Sequence, residues 1–130
     1  MKLRTALVLG LAAVSVAACA QRTRPPGEPG VCYHVVQGAD GKLKYNRLAG
    51  SQPTLENCAA ELEGMRIRFL RMGGNQRKIV GAYQGNFLFL QREGIFTGPT
   101  LEGHRYLALV RTGDGRLAIP GAVAMPPEGQ

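Results

Sequence analysis

The chain has 130 residues, which predicts one domain rather than several, with a thin hydrophobic core. Its 16 Lys and Arg exceed its 9 Asp and Glu, so the formal net charge is +7. A basic balance favours anionic partners such as envelope polymers, phosphorylated lipids or nucleic acid, although it also simply keeps a protein soluble. Many of the 18 glycines lie between apolar runs, as turn-rich β structure requires.

Residues 1–18 have the organisation of a bacterial signal peptide. Lys2 and Arg4 give a positively charged start, and residues 6–18 (ALVLGLAAVSVAA) are an uncharged apolar run. A permanent membrane-spanning helix needs about 20 apolar residues, so this run is too short. Its length, its flanking charges and the small residues at its end predict a cleaved export signal.

The export signal ends in a motif at residues 16–19 (VAAC) that resembles the lipobox of bacterial lipoprotein precursors. The resemblance covers the leader only. It implies that Cys19 receives a diacylglyceryl group, that the chain is cut before Cys19, and that the new amine is acylated. Several acyl chains hold a protein firmly on a membrane. Ala20, in place of an Asp, implies an outer-membrane destination facing the periplasm.

The same residues allow a second interpretation. Ala18-Cys19-Ala20 fits the A-x-A pattern of ordinary signal cleavage, which would release a soluble protein beginning at Gln21. Lipidation of Cys19 is favoured, and secretion to the periplasm is the alternative.

Residues 19–30 are expected to form a tether between the lipidated cysteine and the folded domain. Residues 21–30 (QRTRPPGEPG) contain three prolines and no residue suited to a core, which predicts a solvated linker of polyproline character. At about 3.1 Å per residue, it would hold the domain about 30 Å from the membrane. Arg22 and Arg24 would lie near the lipid head groups.

Cys32 and Cys58 are the cysteines that are left once Cys19 is lipidated or removed. Two cysteines in an oxidising compartment are expected to form a disulfide, here a structural one. A metal pair or a redox couple fits less well, because the spacing is not C-x-x-C and no cluster of His or carboxylate residues accompanies it. No metal site is predicted.

The globular domain is expected at residues 31–120 and begins with a β-hairpin. Residues 31–37 (VCYHVVQ) and 43–48 are predicted strands around a turn at 39–41. Thr54 is a candidate helix N-cap. The apolar residues that follow at helical spacing are Leu55, Cys58, Ala59, Leu62, Met65 and Phe69.

Residues 65–72 are open to two interpretations. Residues 65–69 also alternate with a period of two, and Gly64 could end a helix before them. A single helix through about Met72 is favoured, because the apolar stripe that begins at Leu55 continues without a change of phase.

The remainder of the domain is predicted as strands and turns. Strands are expected at 78–83, 86–91, 105–111 and 116–119, with a loop at 94–103 and a flexible tail at 121–130. The order β-β-α-β-β-β-β predicts a small single-domain α+β fold, in which an antiparallel sheet of hairpins carries one helix on one face and one disulfide.

No catalytic residue is predicted. His34 is expected to be partly buried near the seam between sheet and helix, and His104 at the edge of a loop. Ser51, the one serine outside the leader, lies in a turn without a G-x-S-x-G elbow. No paired carboxylates, metal motif, P-loop or dinucleotide fingerprint is found, so no cofactor is expected.

Positive charge is concentrated between residues 66 and 78. This basic cluster consists of Arg66, Arg68, Arg71, Arg77 and Lys78, and Arg92 is expected to lie nearby in space. It could bind phosphate or carboxylate groups of the envelope, or it could be a solvated helix face that discourages aggregation. Nucleic acid is not expected as a partner, because Phe69 is the only aromatic residue interleaved with these charges.

Residues 81–87 (GAYQGNF) place two aromatic residues around a glycine turn. They could form a small recognition edge, but inward packing of the aromatic rings is favoured.

The leading hypothesis is a non-catalytic lipoprotein of the cell envelope. It would act as a binding or assembly module at the periplasmic face of the membrane, with an envelope protein or an anionic polymer as its partner. The alternative is a soluble secreted domain that binds an anionic ligand through the basic cluster.

Overall fold

A computed structural model describes residues 22–48, 50–75 and 78–121. In this part of the chain there are one α-helix and seven β-strands. In chain order the elements are β1 (Cys32–Gln37), β2 (Leu43–Arg47), α1 (Leu55–Arg71), β3 (Ile79–Tyr83), β4 (Asn86–Gln91), β5 (Gly94–Gly98), β6 (Tyr106–Arg111) and β7 (Leu117–Ala118). The leader with Cys19, and the tail from residue 122 onward, lie outside the described residues.

The strands form one antiparallel sheet in the order β2-β1-β3-β4-β5-β6-β7. Each strand after β3 pairs with the strand before it, so this half of the sheet is a simple meander. Helix α1 connects β2, at the edge, to β3 on the far side of β1. The predicted α+β fold with one helix, one antiparallel sheet and one disulfide is therefore confirmed.

Helix α1 is one continuous helix, which settles the two interpretations of residues 65–72 in favour of the helix. The Thr54 hydroxyl accepts a hydrogen bond from the Asn57 amide at 3.2 Å, and this N-cap fixes where the helix begins. Its last turn carries Arg68 and Arg71, whose positive charges suit the negative end of the helix dipole. The alternating pattern of residues 65–69 does not prevent the helix, because the apolar stripe packs against the sheet.

The main core lies between α1 and the face of the sheet that it covers. Leu62 is fully buried there, and a Cβ atom on Gly81 of β3 would overlap the Leu62 side chain. The glycine therefore allows the helix to lie close against the sheet. The other members of this core include Cys58, Ala59, Ile79, Leu88, Leu90, Ile95 and Leu109.

A smaller core covers the opposite face of the sheet. Its fully or nearly buried members are Tyr33, Val35, Ala82, Phe87 and Phe89. Leu101, from the loop between β5 and β6, packs against it, and the Arg105 guanidinium lies 3.5 Å from the centre of the Phe89 ring. A cation over an aromatic face is stabilising, so this loop closes part of the second face.

Strand β5 was not predicted; residues 94–103 were expected to be a loop. The expectation is wrong for residues 94–98, which pair with β4 on one side and β6 on the other. Glycines bound this strand, and they resemble a loop signal in the sequence. At Gly98, however, a Cβ atom would lie 2.7 Å from the His104 carbonyl oxygen, so the glycine permits close packing of backbone on backbone.

Residues 22–30, here called the strap, are not a fully solvated linker. The Leu101 amide donates to the Thr23 carbonyl oxygen at 3.0 Å, and the Gly85 amide donates to the Pro26 carbonyl oxygen at 3.0 Å. Thr23 also donates from its amide and its hydroxyl to the Glu102 carboxylate, at 2.9 and 2.6 Å. The proline-rich composition offered no core residue, but backbone hydrogen bonds hold the strap to the domain.

The Cys32–Cys58 disulfide is present and joins β1 to α1. Both cysteines are fully buried, and their Cα atoms are 5.4 Å apart. The cross-link pins the first strand to the helix across the main core.

The aromatic residues around the 84–85 turn pack inward. Tyr83 and Phe87 are almost fully buried, in the main core and the second core respectively. The Tyr83 hydroxyl donates to the Gln52 carbonyl oxygen at 2.6 Å, and the Gln84 side chain accepts from the Gly30 amide. The pair therefore forms no exposed recognition edge.

Candidate anion-binding site

The antiparallel register divides the turns of the sheet between two ends. The Tyr83–Asn86 and Phe87–Gly98 pairs place the 84–85 turn and the 99–105 loop at one end, where the strap also lies. We call this the strap end. The Gln91–Gly94 and Arg111–Leu117 pairs place the 92–93 and 112–116 turns at the opposite end.

Near the opposite end, a buried carboxylate holds two arginines. Glu63 of α1 is 4% exposed. It accepts hydrogen bonds from Nε and Nη2 of Arg66 at 3.0 and 2.7 Å, and from Nε and Nη2 of Arg111 at 2.7 and 3.0 Å. Each arginine therefore makes a bidentate ion pair with Glu63, which is the strongest geometry for an arginine–carboxylate pair.

The two arginines keep Glu63 ionised. Burial disfavours the charged carboxylate and would raise its pKa, but the hydrogen bonds from Arg66 and Arg111 outweigh burial and lower the pKa to about 2. The same hydrogen bond raises the pKa of Arg66. The group therefore carries one negative and two positive charges throughout the neutral range.

A pocket opens beside this group and is lined by Arg66, Leu70, Arg92 and Arg111. Its volume is about 490 Å³. Three guanidinium groups and one carboxylate leave a formal charge of +2. We call this site the arginine pocket.

The arginine pocket retains hydrogen-bond donors for a ligand. Arg66 uses its Nε and one Nη2 hydrogen on Glu63, so its Nη1 group is not engaged by that pairing. Arg111 is more fully used, because its Nη1 also donates to the carbonyl oxygens of Gln91 and Arg92. Planar guanidinium groups match the oxygens of phosphate and carboxylate, and Leu70 adds an apolar wall.

The predicted basic cluster is only partly brought together. Arg66 and Arg92 line the arginine pocket together, and Arg92 was expected to lie near the basic cluster. Arg68, Arg71 and Lys78 are exposed and do not line it, and Arg77 lies outside the described residues.

Sequence reasoning missed two members of the group, Glu63 and Arg111. The basic cluster contains neither of them, and Arg111 lies 48 residues further along the chain than Glu63. The available signal was positional: Arg111 ends a strand whose other residues are all apolar, and it lies two residues after Leu109, on the face of the strand that packs into the main core.

The histidines and Ser51 lie on three separate parts of the chain: His34 in β1, Ser51 between β2 and α1, and His104 between β5 and β6. His34 is half-buried, and burial lowers its pKa. It lies on the helix-facing side of β1, opposite Gly81, as expected for a residue near the seam. His104 and Ser51 are exposed. Across the described ranges, no group of three or more His, Cys, Asp or Glu residues could hold a metal ion.

Two other pockets offer fewer positive groups. One is lined by Val31, Arg47, Leu48, Gly50 and Ser51, and its arginine is already paired with Glu28 at 2.6 Å. The other runs between α1 and the β6–β7 hairpin, where Glu56 and Glu63 face Arg116. Neither combines several guanidinium groups, so the arginine pocket is the strongest candidate for an anion.

Comparisons with protein-family models, curated proteins and solved structures found no match to this chain. Within residues 22–48, 50–75 and 78–121, no helix has the length and apolar character needed to cross a bilayer.

Proposed function

We propose that this protein is a non-catalytic lipoprotein of the bacterial cell envelope that binds an anionic group in the arginine pocket. The ligand class is a phosphate or carboxylate group carried by an envelope polymer or an envelope protein. The observation that carries the proposal is the convergence of Arg66, Arg92 and Arg111, from three separate elements, on one pocket.

The proposed attachment to a membrane depends on the sequence of the leader. A positively charged start, a short apolar run and the VAAC motif ending at Cys19 resemble lipoprotein precursors. The disulfide is in keeping with an oxidising compartment such as the periplasm.

The binding role rests on charge and preorganisation. Arg66 is held by Glu63 before any ligand arrives, so little side-chain entropy is lost when its remaining donors bind an oxyanion. Arg92 is exposed at the mouth of the pocket, and no ion pair between its side chain and the other described residues is seen. Arg92 is therefore the arginine whose replacement tests binding with the least effect on folding.

The test is a calorimetric titration of the detergent-solubilised protein with inorganic pyrophosphate, which measures the affinity of the site. Arg92→Gln removes a charged hydrogen bond worth about 1.5–3 kcal/mol, so affinity is expected to fall by about tenfold or more. Added salt should also weaken binding to the unaltered protein, because the site is open to solvent.

Arg71→Gln is the matched control. It makes the same change in net charge as Arg92→Gln, on an exposed side chain in the last turn of α1 that does not line the arginine pocket. Affinity should change by less than about twofold, because Arg71 does not line the pocket and water and salt weaken the effect of an exposed charge that does not touch the ligand. Equal losses in both variants, or no pyrophosphate binding to the unaltered chain, would refute the assignment of the pocket.

A further inference from the structure

We infer that the strap end of the domain rests on the surface of the membrane that carries the lipid anchor, with the arginine pocket facing away from it. The partner is the head-group layer of a bilayer. This inference depends on the proposed lipidation of Cys19, and it adds the orientation that the docked strap imposes on the domain.

The docked strap limits the distance between the lipid and the domain. The strap is held to the domain from Thr23 onward. Arg22 lies beside the 99–105 loop, since a Cβ atom added to Gly103 would be 3.6 Å from the Nη1 atom of Arg22. Two residues separate Cys19 from Arg22. At 3.8 Å between successive Cα atoms, three steps span at most about 11 Å. The strap end therefore lies within about that distance of the lipid, instead of the 30 Å that a free tether would allow.

The strap end carries an excess of positive charge. Arg22, Arg24 and Arg105 bring three positive charges, whereas Glu102, which accepts hydrogen bonds from Thr23, brings one negative charge. Basic residues near an anionic leaflet are attracted to it. The surface is thus suited to phosphate head groups.

Exposed apolar side chains lie next to these charges. Tyr106 and Leu107 open β6 directly after the 99–105 loop and are 65% and 44% exposed. Ile119, which follows β7 on the same edge of the sheet, is 57% exposed. Tyrosine is favoured at membrane interfaces because its ring is apolar and its hydroxyl is polar. Three of the four most exposed large apolar residues described therefore lie on one edge, near the anchor.

The orientation has a consequence for the binding site. Strands β1 to β6 are five or six residues long, which corresponds to about 20 Å between the two ends. An anchor at the strap end therefore places the arginine pocket on the side that faces the periplasm, where it can meet a ligand carried by another envelope component.

The test is depth-dependent fluorescence quenching on the full chain, processed in a bacterium and reconstituted in vesicles of phosphatidylethanolamine and phosphatidylglycerol. A fluorophore is attached to His104→Cys in the strap-end loop, or to Glu93→Cys in the opposite turn; both native residues are exposed. A lipid with a spin label on its head group is expected to quench the label at 104 several-fold more than the label at 93. Equal quenching at both sites, or stronger quenching at 93, would overturn the inference.

A lengthened chain provides the control. A flexible Gly/Ser insertion of about 12 residues between Ala20 and Gln21 adds about 20 Å of root-mean-square span. Quenching at 104 should then fall towards that at 93, while the protein stays on the vesicles. Unchanged quenching would contradict the claim that short reach sets the orientation.

Intact mass separates the two proposals. A lipidated chain with equal quenching at both sites overturns the orientation alone. A chain without lipid on Cys19 overturns both the anchor and the orientation.

Discussion

At the scale of single residues, Glu63 organises the arginine pocket without itself being a ligand for an anion. Its carboxylate binds Arg66 from its own helix and Arg111 from the sheet, and so fixes two long side chains that would otherwise be mobile. Burying such a group is costly, and it is stable only while all partners are present. Loss of the carboxylate would leave two neighbouring guanidinium groups that repel each other.

Glu63→Gln should therefore lower the free energy of unfolding at pH 7 by about 3 kcal/mol or more. The pKa of Glu63 is about 2 in the folded protein and near its ordinary 4.5 when unfolded. Its stabilising contribution is thus complete above pH 4.5 and is lost as the pH falls towards 2. Urea unfolding at several pH values should show a smaller acid-induced loss in the variant than in the unaltered protein.

Glu61→Gln is the control for this experiment, because Glu61 is exposed on the same helix and has no ion pair among the described residues. It should leave both the stability and its pH dependence nearly unchanged. The account of Glu63 would be wrong if the two variants behaved alike.

Gly98 provides a second prediction at this scale. Gly98→Ala would place a methyl group 2.7 Å from the His104 carbonyl oxygen, which is backbone and cannot easily move. Such overpacking typically costs about 1–3 kcal/mol. Thermal or urea unfolding should show this loss, whereas Gly27→Ala, where no atom lies within 4 Å, should change stability by less than about 0.5 kcal/mol.

At the scale of the elements, α1 could be predicted from the sequence because its signals agree. The N-cap at Thr54 and the apolar stripe from Leu55 onward indicate the same helix. Strand β5 could not, because its bounding glycines are required by tertiary contacts: Gly94 lies close to the Leu109 carbonyl oxygen of β6, and Gly98 lies close to the His104 carbonyl oxygen. The same limit applied to the strap, because the backbone hydrogen bonds that Thr23 and Pro26 accept do not depend on side-chain type and leave no signal in the sequence.

The candidate site was predictable in part for a related reason. Arg66 lay in a concentrated run of charge, and Arg92 was expected close to it. The partnership of Glu63 with Arg111 depends on which end of β6 meets the helix, which the strand register decides. Local patterns do not contain that information.

The disulfide gives a prediction at the scale of elements. It closes a loop between residues 26 apart in sequence, so replacing Cys32 and Cys58 by Ala should lower the free energy of unfolding by about 3–4 kcal/mol on the chain-entropy account. Urea unfolding of the double variant measures the loss, and the unaltered protein under reducing conditions should show a similar shift. A loss below about 1 kcal/mol would contradict a stabilising role.

At the scale of the whole molecule, the two ends of the sheet have different chemistry. The strap end holds the first described residues, with the exposed Arg22 and Arg24, and an adjacent apolar edge, whereas the opposite end carries the arginine pocket. This polarity matches the proposed role of a module that is fixed to a membrane at one end and binds an anionic group at the other. Lipidation of Cys19 is the central claim, since both the address and the orientation depend on it.

Intact mass and thiol content of the protein extracted from its native membrane test that claim most directly. We predict a chain that begins at an acylated Cys19, with no free thiol because Cys32 and Cys58 are joined. A chain that begins at Gln21 without lipid, or one that still carries Met1 and reduced thiols, would contradict it.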